Sequence, residues 1–177
     1  MRTRALIGPL ALLVLTPVSV YVSLRGELDE HRRSYPTDVV YVAAGTSASY
    51  GPATWRLDWQ RSADDLRTAE WVAPAPGTGR WVLARITYRA DRALPGDGWC
   101  EVAFVDEDGR RFDPEFGTTI DGRTSRCDGD QNGPAMQRPT AGKDFSFVVA
   151  ALVPRDAQRL RPRVTIRAEL PRALEFG

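Results

Sequence analysis

The chain has 177 residues, a formal net charge of +1 and 27% charged residues. That size accommodates one domain with its own core plus an appendage, and the near-neutral balance excludes the basic field with which nucleic-acid-binding domains address phosphate. Lys143 is the only lysine and His31 the only histidine. Positive charge is therefore carried by arginine, a bias that reads as the coding signature of a GC-rich genome such as an actinobacterium's. A single histidine among charged neighbours leaves no Ser-His-Asp or Cys-His arrangement, so no enzymatic activity is expected.

Arg2 and Arg4 precede residues 5–24, a run without a charged side chain that is mostly Leu, Val, Ile and Ala. About 20 apolar residues are the length that crosses the hydrocarbon core as a helix. A cleaved signal peptide requires small residues one and three positions before the cut. The available pairs, Ser23 with Tyr21 and Ser19 with Pro17, do not fit, so residues 1–25 are expected to be an uncleaved transmembrane anchor. The count of arginines on the two sides does not decide orientation. Residues 26–37 form a charged linker ending at Pro36, and 38–177 the following domain.

The elements of that domain read as β-strands. Residues 38–44 are β-branched and apolar, 45–52 are turn material, and 53–60 alternate with Trp55, Leu57 and Trp59 on one side. Period two with one apolar face is a half-buried antiparallel strand. Residues 61–69 are expected to hold a short helical turn, and 70–73 a short edge strand. Residues 80–89 carry apolar groups on both faces and predict a central strand. The hairpin of residues 99–116 follows, with Cys100, Val102 and Phe104 on one face, and Trp99, Ala103 and Val105 on the other. Its turn is Asp106-Glu107-Asp108-Gly109, where Asp-Gly tolerates positive φ. Residues 144–152 and 163–170 alternate again, the first around Phe145, Phe147 and Val149.

About seven or eight strands with no long helix outside the anchor predict an all-β fold, an immunoglobulin-like antiparallel β-sandwich, with a closed barrel as the alternative. Three segments, W-V-L-A-R-I-T-Y, F-V-D-E-D-G-R-R-F, and A-G-K-D-F-S-F-V-V followed by V-P-R-D-A, lie between residues 80 and 170. In them the chain resembles a family of bacterial extracytoplasmic immunoglobulin-like domains borne on lipoproteins and single-pass anchors. The resemblance implies a fold and a location, and a role in binding partners or as an envelope accessory, without assigning an activity to any residue.

Cys100 and Cys127 are the two cysteines, and two cysteines in an extracytoplasmic domain read as one disulfide. No C-x-x-C is present, which argues against thioredoxin-like chemistry. The bridge would tie down the middle of the long stretch 116–142. Within it, Asp128, Asp130 and Asn132 followed by Gly133 match the first half of a calcium loop. Pro139 stands where the bidentate glutamate belongs, and Asp106 and Asp108 are the candidates to supply missing oxygens. An ordinary polar turn is the alternative. No other cofactor is expected.

The resulting expectation is a single-pass protein of the cell membrane whose C-terminal domain is extracytoplasmic. It would act without catalysis by binding another envelope or membrane protein, and nucleic acid is not an expected partner. The surface singled out is the meeting of the hairpin turn and the disulfide loop: Asp106, Asp108, Asp128, Arg123 and Arg126. Calcium-dependent binding through residues 128–132 is the second reading, and hydrolysis by a carboxylate pair such as Asp113 and Glu115 the third.

Overall fold

A computed structural model describes residues 35–68, 72–92, 94, 99–115, 119–129 and 137–177. The strands in chain order are β1 (Asp38–Val42), β2 (Ser47–Tyr50), β3 (Ala53–Ala63), β4 (Asp65–Arg67), β5 (Val72–Pro74), β6 (Gly79–Ala90), β7 (Cys100–Val105), β8 (Arg111–Phe112), β9 (Thr119–Ile120), β10 (Arg123–Thr124), β11 (Asp144–Pro154), β12 (Arg161–Ile166) and β13 (Arg172–Phe176). One short 3₁₀ turn, Arg167–Glu169, separates the last two. The strands form a five-stranded sheet, β1-β13-β12-β7-β8, and a four-stranded sheet, β11-β6-β3-β2, with two small ribbons, β4-β5 and β9-β10. Every pairing is antiparallel except that of β1 with β13, which is parallel. The expected all-β sandwich is therefore present.

The core follows from period two. Val82, Ala84, Ile86 and Tyr88 of β6 and Phe145, Phe147, Val149, Ala151 and Val153 of β11 face Val102 and Phe104 of β7, Val164 and Ile166 of β12, and Leu174 and Phe176 of β13. Trp55 and Tyr88 lie 4.5 Å apart by ring centroids, and Trp99 packs on both at 5.8 and 5.7 Å. Trp99 thus departs from its expected face. It precedes β7 rather than belonging to it, and the chain there turns the indole inward.

A β-bulge between Leu57 and Trp59 corrects the reading of β3. One extra residue, Asp58, reverses the alternation. Trp55 and Leu57 point into the sandwich, whereas Trp59 packs on its far side against a second core of Leu66, Trp81, Leu83, Ile120, Val148 and Ala150. Asp58 accepts hydrogen bonds from Arg56 Nε at 2.8 Å and Thr87 Oγ1 at 2.6 Å, and Arg85 Nε is 3.2 Å away. The same second core corrects the expected helical turn at 61–69. β3 runs on through Ala63, and β4 pairs with β5 so that Leu66, fully buried, caps the outer face of β6. The expected strand at 163–170 ends at Ile166, while β2 and β13 were not anticipated.

β13 carries Glu175, which is buried on the outer face of its sheet. Arg163 donates to it through both Nε, at 2.8 Å, and Nη2, and Arg161 Nη1 is 3.7 Å away. No helix among the described residues is long and apolar enough to cross a membrane. The proposed anchor and most of the linker, residues 1–34, lie outside the described residues.

A candidate binding pocket beside the disulfide

The expected bridge is present. Cys100 opens β7 on its inward face, Cys127 follows β10, and their sulfurs are bonded at 2.05 Å with Cα atoms 6.1 Å apart. Both cysteines are buried. Tyr88 on β6 donates its phenolic hydrogen to the carbonyl of Cys127 at 2.8 Å, which secures the loop from the opposite sheet. Burial, with a smaller contribution from the charge of Asp128, pushes the Tyr88 phenol well above its ordinary range. It stays protonated and keeps donating.

The bridge forms one wall of a pocket of about 320 Å³, within the size range that takes small ligands or a partner's side chain. Val102 and Val149 add apolar walls, and Ser125, Glu101, Arg126 and Asp128 complete the lining, with the Glu101 side chain exposed and that of Asp128 nearly buried. Arg126 grips Asp128 with two parallel bonds, Nε to Oδ1 at 2.9 Å and Nη2 to Oδ2 at 2.6 Å. This is the fork geometry that holds a carboxylate most firmly. Arg111 lies 3.5 Å from Glu101. The lining thus combines apolar walls with paired charges.

The loop is fastened by a residue that the sequence did not single out. Gln137 accepts from the Thr124 amide at 3.1 Å and donates to the Gly122 carbonyl at 2.7 Å. Gly129 makes this possible: its φ is +89°, and a Cβ there would run into the Gln137 carbonyl. Gln and Gly both occur often in loops, so only the fold reveals the pairing.

Among the described residues, the hairpin turn and the disulfide lie at opposite ends of β7. Asp106 stands at the far end of β7, six residues and about 20 Å of strand from Cys100. Its carboxylate is consumed locally. Oδ1 accepts from the amides of Asp108, at 3.1 Å, and Arg110, at 2.8 Å, and Oδ2 from Arg110 Nε at 2.6 Å. Burial alone would raise its pKa, but these bonds and the Arg110 charge outweigh it and hold the carboxyl below the usual range. Asp108 is largely exposed, 4.0 Å from Arg110. Arg123 is half-buried in the β9-β10 ribbon. Only Arg126 and Asp128 of the expected working surface reach the pocket. Asp130 and Asn132 lie outside the described residues. Among the described residues no three His, Cys, Asp or Glu side chains are grouped to hold a metal. Asp113 is 2.6 Å from Arg111 Nε, and Glu115 is exposed.

No family model matches the chain, and no curated protein matches it. Two solved structures share its shape. One is an uncharacterised β-sandwich protein from Clostridium difficile 630, at 9% identity and a TM-score of 0.48 over 80% of this chain and 94% of that one. The other is a conserved hypothetical protein from Bacillus anthracis, at 10% identity and a TM-score of 0.50 over 72% of this chain and 90% of that one. At such identity the likeness to the second bears on the fold alone.

Proposed function

We propose that this is a membrane-anchored, extracytoplasmic interaction domain of immunoglobulin-like type, an envelope accessory that binds another envelope or membrane protein without catalysing a reaction. The observation that carries the reading is the pocket beside the disulfide. Its apolar walls suit an aliphatic or aromatic side chain of a partner, and its paired charges suit a polar rim. The strand order supports the fold assignment. β3, β6 and β11 occupy the places of strands A, B and E, and β7, β12 and β13 those of C, F and G. The bridge joins C to the segment before E rather than B to F, so it is a variant of that plan. A disulfide supports an oxidising compartment, the apolar run of residues 5–24 supports an anchor, and the arginine bias supports an actinobacterial source.

The test is a photo-crosslinking side chain at Glu101, on the rim, in the full chain in intact cells. One envelope protein should be captured, and the capture should be lost when Val149→Arg fills the pocket. Capture that persists in Val149→Arg, or equal capture from the distant Asp64, would overturn the reading.

A further inference from the structure

Among the described residues, the outer edge of β1 is an open edge of the five-stranded sheet. β8 has two residues and β2 four, and β11 is engaged on its free side where the Glu115 backbone amide donates to the Ala150 carbonyl at 2.9 Å. β1 has five residues, and no described strand pairs with its outer side. Its bonds to β13 use Asp38 N at one end and Val42 O at the other, the latter accepting from Gly177 N. In a parallel ladder this assigns the even residues to β13 and turns the N–H and C=O of Val39 and Tyr41 outward. Two of the five exposed large hydrophobic residues among the described ones lie on β1, Val40 at 42% and Tyr41 at 66% exposure, and a third, Tyr35 at 53%, shortly precedes it. The usual guards of an edge, a proline, a lysine or a bulge, are missing from Val39 to Val42. The strand's one charge, Asp38, is at its start.

We propose that this edge pairs with the same edge of a second copy, joining two five-stranded sheets into one across a two-fold axis. β1 is complementary to itself in antiparallel register. Centred on Val40, the pairing sets Val40 against Val40 and Val39 against Tyr41, and the outward groups of Val39 and Tyr41 bond reciprocally. No like charges face each other, since Asp38 falls opposite Val42. Tyr41 is held for this contact by Arg161, whose guanidinium lies 5.3 Å from the ring centroid. A partner of a different sequence would have no reason to match this register, whereas the two-fold supplies the match automatically.

The test uses the full chain with Val40→Cys, the two native cysteines being already joined. Opposed Val40 residues form a non-hydrogen-bonded pair with Cα atoms about 4.5 Å apart, within disulfide reach. Mild oxidation in the producing cells should give a reductant-sensitive band at twice the chain mass. Val72→Cys, equally exposed on β5, should give several-fold less. Adding Val39→Pro removes an amide that β13 does not use, so the domain should still melt cooperatively while the crosslink is lost. Crosslinking of Val40→Cys no greater than that of Val72→Cys, a crosslink unchanged by Val39→Pro, or an adduct with a different polypeptide would each overturn the proposal.

Discussion

Asp106 illustrates how a residue that looks available is spent on its own turn. Its folded pKa lies below that of an unfolded aspartate. The stabilisation is therefore present above the unfolded value, about 3.9, and is lost as pH falls from there through the folded value. Asp106→Asn should lower Tm at neutral pH, and the gap from the parent should close as both are melted at progressively lower pH. A constant gap would mean that charge plays no part. Tyr88 does a different job. Tyr88→Phe removes one hydrogen bond and leaves the Cys127 carbonyl unsatisfied in a buried place, a loss of about 1–3 kcal/mol to be read from the urea midpoint. The aromatic packing with Trp55 and Trp99 should survive, so the transition should stay cooperative.

Between residues and the molecule stand the elements, and here the disulfide is decisive for one of them. It closes 27 residues, and a loop of that length stabilises by about 3–4 kcal/mol in the chain-entropy model. Cys100→Ser with Cys127→Ser should lose that amount in denaturant unfolding and should also weaken capture by a crosslinker at Glu101, because the bridge is a pocket wall. The β4-β5 ribbon has its own weight: Leu66→Ala, at a fully buried site, should cost about 2–5 kcal/mol in the same measurement. Long strands with a sustained apolar and β-branched run were readable directly, as β6 and β11 show. β3 was half readable. The bulge at Asp58 leaves no mark in composition, since an Asp between Leu57 and Trp59 looks like an ordinary polar position, yet it sends Trp59 to a different core. Residues 61–69 misled for a related reason: Ala63, Asp64, Asp65 and Leu66 favour a helical turn locally, and burial of Leu66 beneath the sheet overrides that preference. β13 was missed because its buried Glu175 breaks the apolar pattern, and the facing Arg163 and Arg161 explain its place. The disulfide was legible by counting. The pocket was not, because Val102 and Val149 lie 47 positions apart and meet only when the two sheets pack.

At the scale of the whole molecule, the separation of Asp106 and Asp108 from Asp128 bears on calcium. With Asp128 gripped by Arg126 and Asp106 by Arg110, millimolar calcium should leave Tm unchanged. A rise of several degrees would instead assign the loop a cation through Asp130 and Asn132. If the apolar run of residues 5–24 anchors the chain, the full protein should stay with the membrane through alkaline carbonate extraction, and deleting that run should release it. The anchor would also make the sandwich a tethered body, and the parallel pairing of β1 with β13 then acquires a mechanical meaning. A pull transmitted through residues before Tyr35 is delivered to the start of β1. Because β1 lies flat along β13 over its whole length, a pull along the strand axis shears the ladder. The bonds from Asp38 to Ala44 share the load together instead of parting one after another. A domain anchored in this way would be fastened along a seam, so resistance to force should depend on the direction of pulling, high along β1 and low when the strand is peeled sideways.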